Sequence, residues 1–210
     1  VAIGWHSFDG DTATETASEA ATGVTGTIVG GNGEAVANNI ESTTYGSGAS
    51  FTAVTDSTGI KGTTNNNNQK RIDITVTNNT SGELALDYID FDAAAAGNLN
   101  GVVTVSHLSG SSALADGYTG RELGSLVLDS WGTKETSIAT AAMDDVVLAV
   151  GETAAFRLEI SSSAGGWTAV KLDNIAVMTS TDLSAEAPAA DTVAIGWHSF
   201  DGDTATETAS

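Results

Sequence analysis

The chain has no cysteine, one proline, four lysines and three histidines in 210 residues, and each shortage removes a class of explanation. Without cysteine there is no disulfide framework, no thiolate metal site and no thiol nucleophile, although the compartment stays open. No run of 18 apolar residues is present, so no segment reads as a membrane-spanning helix. No secretory leader is recognisable, which decides nothing about secretion if this is a stretch of a longer chain. Neither a G-x-S-x-G elbow nor an H-E-x-x-H pair occurs, and the D-x-D-x-D-G calcium loop is missing too. The expectation is that the protein is not an enzyme and has no catalytic residues.

Positive charge is the other shortage. Lys and Arg number 7 against 27 Asp and Glu, for a net charge of -20. Such a surface repels nucleic-acid phosphates and anionic membranes, so neither is an expected partner. It suits calcium, salty water and solubility at high local concentration. Gly, Ala, Thr, Ser and Asn dominate instead, a composition like that of secreted bacterial surface proteins, and the expected location is extracellular or on the cell surface.

What the chain does have is a duplication. Residues 1–18 read VAIGWHSFDGDTATETAS, and Val193–Ser210 repeat them without a change. The offset of 192 residues is too long for a solenoid repeat and suits a whole domain in a tandem array. A protein carrying one segment at both ends, or a deliberate duplication, would give the same text. One period carries a charge of about -17 and is long enough for a single core. Leu183–Thr192 holds Pro188 among small and polar residues and reads as a short linker. The expected division is therefore a domain over 1–182, a linker over 183–192 and the first strand of the next copy over 193–210.

Strand signals are frequent. In Arg71–Thr77, Ile72, Ile74 and Val76 point one way and Asp73, Thr75 and Thr77 the other, as in a strand with one buried face. Asn78–Gly82 reads as a turn, and Leu84, Leu86 and Tyr88 resume the alternation, which predicts a hairpin. The apolar phase then shifts at Tyr88-Ile89-Asp90-Phe91, which predicts a bulge. Val24–Val29, Phe51–Val54, Val102–Leu108, Leu123–Trp131, Ala154–Ile160 and Val170–Met178 are further strands, the last with a phase shift near Asp173-Asn174. At the start, Val1, Ile3 and Trp5 share one face while His6 and Phe8 share the other. Thr12–Thr22 reads as a loop or a weak edge strand. Ser137–Ala142 and Ala93–Ala96 could each form one helical turn, and no amphipathic helix is convincing. Many short strands with turn signals between them give an all-β chain, a jelly-roll or Greek-key β-sandwich.

The segments RIDITVTNNTSGELALDYIDFDA, VTVSHLSG and AAFRLEISSSAGGWTAVKLDNIAV, with the opening IGWHSFDGD, resemble secreted jelly-roll domains. These are the repeats of large surface proteins of Verrucomicrobia, Planctomycetes and related bacteria, including those with PEP-CTERM sorting signals. Their architecture is similar to carbohydrate-binding modules. The resemblance covers about two thirds of one period and implies that first and last strands pair, Val1–Phe8 beside Lys171–Met178. It also implies a structural calcium between the loop after the first strand and the last strands, at Asp9, Asp11 and Asp173.

From these readings the expected function is structural: a repeat unit of an extracellular fibre, sheath or giant surface protein whose partners are copies of itself. Assembly is by tandem linkage or by strand donation, in which Val193, Ile195, Trp197 and Phe200 complete a neighbouring domain. Otherwise Val193–Ser210 merely starts the next domain. The alternative function is a carbohydrate-binding or adhesion module that stacks polysaccharide on Trp5, Trp131, Trp167, Tyr45, Tyr88 or Tyr118, with Trp167 the best placed. No cofactor is certain: the implied calcium stands against a plain solvated acidic surface as the reading of these carboxylates. His6 and His107 read as ordinary strand histidines, and the two overlapping N-x-[ST] sequons in Asn78–Ser81 as coincidence.

Overall fold

The computed structural model describes residues 1–6, 8, 14–15, 17–30, 40–41, 59–63, 71–95, 101–108, 121–128, 133–139, 146–162 and 169–183. Among them the chain is all-β and forms fifteen strands. These are β1 (Ile3–Trp5), β2 (Thr14–Glu15), β3 (Glu19–Ala20), β4 (Val24–Gly30) and β5 (Ile40–Glu41), followed by β6 (Gly59–Thr63), β7 (Arg71–Asn78), β8 (Leu84–Leu86), β9 (Tyr88–Ala95) and β10 (Gly101–Leu108). The last five are β11 (Arg121–Leu128), β12 (Thr133–Ala139), β13 (Val146–Leu148), β14 (Thr153–Ser162) and β15 (Ala169–Met178).

Two antiparallel sheets face each other. One runs β12-β9-β15-β1-β3, with β6 also on β15 and β5 on β6; the other runs β11-β10-β14-β7-β4-β2. A short β13-β8 ladder stands beside them. Successive strands mostly alternate between the sheets, so the chain repeatedly crosses the ends of a β-sandwich. The core lies between the sheets. Ile3, Trp5, Ile89, Phe91, Leu172, Ile175 and Val177 come from one side, and Ile28, Ile74, Val76, Val103, Phe156 and Leu158 from the other. The alternation read from Ile72/Ile74/Val76 and from Ala154/Phe156/Leu158/Ile160 is the inward face of two neighbouring strands, with Ile74 opposite Phe156 and Ile72 opposite Leu158.

Several sequence expectations need correction. The hairpin between 71–77 and 84–88 does not form: β7 pairs with β14 and β4, while β8 pairs with β13. The turn carries the chain out of one sheet instead of folding it back, because Asn78 is tied to that turn and to Leu148. The phase shift at Tyr88 is real, but its cause is a break at Asp87 between two strands in different sheets, not a bulge. Ala93–Ala95 and Ser137–Ala139 are extended, not helical, since each lies in a ladder: Ala93 pairs with Lys134 and Leu172, and Ile138 with Ile89. A bulge does occur in β15, where the pairing with β9 shifts between Asp173 and Ala176. Asn174 there takes φ 50°, a left-handed conformation that asparagine tolerates better than most residues. The Thr12–Thr22 stretch supplies two short edge strands, β2 on one sheet and β3 on the other. The strand expected at Phe51–Val54 lies outside the described residues.

Candidate functional site

The duplicated opening segment is built into the sandwich. Its β1 lies on β15 with Ile3 opposite Val177, Gly4 opposite Ala176 and Trp5 opposite Ile175, while β3 covers its other edge. The first and last strands thus pair side by side. Trp5 is fully buried, and its indole N–H donates to the Glu15 carbonyl at 3.3 Å, joining one sheet to β2 of the other. Phe8 and Glu15 are buried as well. One segment therefore staples both sheets. His6 is buried, its backbone N–H donating to Ser18 Oγ, with its ring 4.0 Å from the Glu19 carboxylate. His107 is partly covered against the Phe156 ring at 5.5 Å, and this desolvation lowers its pKa below the ordinary histidine value.

The two ends of the described chain meet at one pole. The Ala2 N–H donates to the Val177 carbonyl near the end of β15, and the Ala21 N–H donates to Ala2 O, each at 2.9 Å. The chain then turns at Thr22-Gly23, and Asn79 N–H donates to Gly23 O. After β15, Ser180 N–H donates to Asp87 Oδ2, and Ala85 N–H to Thr181 Oγ1, which steers residues 179–181 along β8. Leu183 packs on the core. Thr22, Gly23, the 79–83 turn and residues 181–183 enclose a cavity of about 190 Å³. Asn78 organises this pole. Its buried amide donates to Gly82 O and Leu148 O, and its oxygen accepts from Thr80 N–H and Oγ1–H.

On the outward face of the β15 sheet the bulge gathers polar groups. β6 occupies the edge of β15 over 169–172 and β1 the same edge over 175–177, so the two strands abut at Asp173-Asn174. Asp173 stands directly opposite Asp92, and both carboxylates are buried. Like charges so placed repel. Asn174 offsets part of this through its backbone N–H to Asp173 Oδ1 at 2.8 Å and its Nδ2 to Asp92 Oδ2 at 2.6 Å. Its own Oδ1 is buried with no hydrogen-bond partner. Among the described residues no three acidic or histidine side chains converge as a metal site. Two carboxylates and an orphaned amide oxygen supply hard oxygens of the kind calcium takes, from three side chains where the ion needs six to eight ligands. Of the expected ligands only Asp173 is described, and Asp9 and Asp11 lie outside the described residues. Asp92 and Asn174 were missed as a pair because only the β9–β15 register brings them together.

The opposite sheet carries a second surprise. Asp73, expected on the face of its strand away from the core, and its cross-strand neighbour Arg157 are 5 % and 2 % exposed at the side chain. They form a bidentate ion pair with contacts of 2.6 and 2.8 Å. Beside it, Thr27 pairs with Thr75 and Thr77 with Thr153 through hydroxyl hydrogen bonds of 2.8 and 2.7 Å. Among the expected stacking aromatics, Trp5 is core and Tyr88 is 46 % exposed. Trp131, Trp167, Tyr45 and Tyr118 lie outside the described residues, as do Val193, Ile195, Trp197 and Phe200.

The sequence matches no family model and no curated protein. Solved structures similar in outline include a family 61 carbohydrate-binding module in complex with β-1,4-galactotriose. It has a TM-score of 0.33 and 11% identity over 73% of this chain and 88% of that one. Another is a glycoside hydrolase family 43 arabinoxylan arabinofuranohydrolase from Bacillus subtilis, with a TM-score of 0.34 and 16% identity over 66% of this chain; the match spans only 24% of the hydrolase. A third is the enzymatically active domain of a bacteriophage CBA120 tailspike protein, with a TM-score of 0.29 and 12% identity over 75% of this chain and 19% of that one. At these scores the likenesses carry no argument about ligand or activity.

Proposed function

We propose that the domain is the repeating structural unit of an extracellular fibre, sheath or giant surface protein, joined head to tail to copies of itself. The observation that supports this most is the place of the opening segment. Residues 1–18 supply β1 and β2, one for each sheet, and bury Ile3, Trp5 and Phe8. A segment that completes both sheets recurs in the sequence at 193–210, which supports a further sandwich that would receive it. In this reading one domain gives way to the next through the sequence that follows Leu183, beside the pole where the two ends of the described chain meet. The acidic composition keeps such an array soluble and its members apart.

The calcium implied by the resemblance would be held, among the described residues, by Asp92, Asp173 and Asn174 Oδ1. Bound there, it would supply the positive charge that fastens β9 to β15.

The experiment is immunogold electron microscopy of the producing cells with antibody raised against this domain. Regularly spaced label along fibres or a surface layer is the expected result. Label confined to the cell interior overturns the proposal, and isolated single domains on a polysaccharide matrix replace it with the carbohydrate-binding reading.

A further inference from the structure

The strand site between β15 and β3 has its occupant in view. Ile3–Trp5 sits there, its register fixed by Ile3 against Val177 and Ala20, and Ile3, Trp5 and Phe8 are buried in the core. The chain contains a second segment with the same eight residues as Val1–Phe8, Val193–Phe200. Every contact made by the first is chemically available to the second, with Ile195, Trp197 and Phe200 in place of Ile3, Trp5 and Phe8. Reach is not an obstacle. The described chain leaves the sandwich at the pole where Val1 begins, and the ten residues from Leu183 to Val193 extend up to about 35 Å. The direction also suits: a strand returning from the end of β15 runs antiparallel to it, as β1 does.

We infer that this site is an exchange site, which takes the trailing segment Val193–Phe200 in the register now held by Val1–Phe8. The two copies compete for one slot. When the trailing copy wins, the leading copy is released as a free donor strand for the preceding domain or for another chain. An array then has two registers: each domain is closed by its own leading strand or by that of its successor. The second register turns a string of separate sandwiches into one interlocked by β-strands, as in strand-donation polymers. β3 is only two residues long, so displacing β1 disrupts a short ladder on that side. This inference deepens the array reading but rests on the seated sequence, so an array without exchange survives its failure.

The test uses the full 210-residue chain, whose lack of cysteine makes engineered thiols unambiguous. Gly4 lies opposite Ala176, and Gly196 is its equivalent in the trailing copy. Ala176→Cys is combined with Gly4→Cys as the control and with Gly196→Cys as the probe, and disulfides are mapped by non-reducing mass spectrometry. The expected result is a 176–4 disulfide in the control and a 176–196 disulfide in the probe. The probe disulfide should become dominant when Trp5→Ala weakens the leading copy. A monomeric product means exchange within one chain, an oligomeric product exchange between chains, and both support the inference. A control that cross-links while the probe fails even with Trp5→Ala overturns it. Melting of the cysteine-free chain gives an independent reading. Trp197→Ala alone should leave the midpoint unchanged, and Trp5→Ala should lower it by less than half the loss seen in the double variant. A Trp5→Ala loss equal to that of the double variant overturns the inference.

Discussion

Replacing Asp73 by alanine takes a bidentate carboxylate from a guanidinium on the outward face of the sandwich whose side chain is only 2 % exposed. The bidentate contacts of 2.6 and 2.8 Å satisfy two Arg157 nitrogens at once, and the cross-strand register holds the partners opposite each other. Removing one member of a buried pair costs about 3–5 kcal/mol, because the remaining charge stays desolvated while its bidentate carboxylate is gone. For a domain of this size that lowers the melting temperature by roughly 6–20 °C, at about 2–4 °C per kcal/mol. The double variant Asp73→Leu/Arg157→Met removes both charges and keeps much of the volume, so it should recover most of the loss. Equilibrium urea unfolding of the wild type, Asp73→Leu, Arg157→Met and the double variant closes a double-mutant cycle. If Asp73→Ala costs under about 1 kcal/mol, or if the single losses simply add, the pair is not a desolvated unit and the burial argument fails.

Four further outcomes are expected. Asn78→Asp should destabilise more than Asn78→Ala, since it sets a carboxylate against the Gly82 and Leu148 carbonyls, with each unsatisfied buried group costing about 1–3 kcal/mol; chemical denaturation gives the order. Gly26→Ala places a Cβ 2.2 Å from the Thr75 carbonyl oxygen and should cost about 1–3 kcal/mol, whereas Gly82→Ala meets nothing within 4 Å and should be silent by the same assay. Calcium should raise the melting temperature and chelator reverse it, worth roughly 2.7 kcal/mol at a hundredfold excess over the dissociation constant. Asp173→Asn should abolish that response, and a wild type indifferent to calcium refutes the site. Burial lowers the His107 pKa, so the unfolded chain takes up this proton first as the pH falls. The stability from neutral His107 is therefore present above its unfolded value of about 6.5 and is lost as the pH drops through the folded one. Melting curves from pH 8 to pH 5 should show His107→Gln losing less stability than the wild type, and parallel curves would contradict this.

Local sequence determined a good deal by itself. Period-2 runs such as Ile72/Ile74/Val76 and Ala154/Phe156/Leu158/Ile160 bury one side only when extended, so strand identity and inward face were both legible. The phase shift at Asp173-Asn174 announced the β15 bulge, and the literal repetition of 1–18 at 193–210 announced the duplication. Which strands meet was decided by the tertiary structure. Leu84 and Leu86 alternate equally well beside β7 or β13, and the tethering of Asn78 to Leu148 and of Ala85 to Thr179 and Thr181 accompanies the latter. Ala93–Ala95 and Ser137–Ala139 fit a helical turn as well as a strand until ladders claim their backbone groups. Asp73 and Arg157 are 84 positions apart, and Asp92 and Asn174 are 82 apart. No window along the chain contains either pair. Burial and charge pairing are properties of register between distant strands, and register is settled only when the whole sandwich closes.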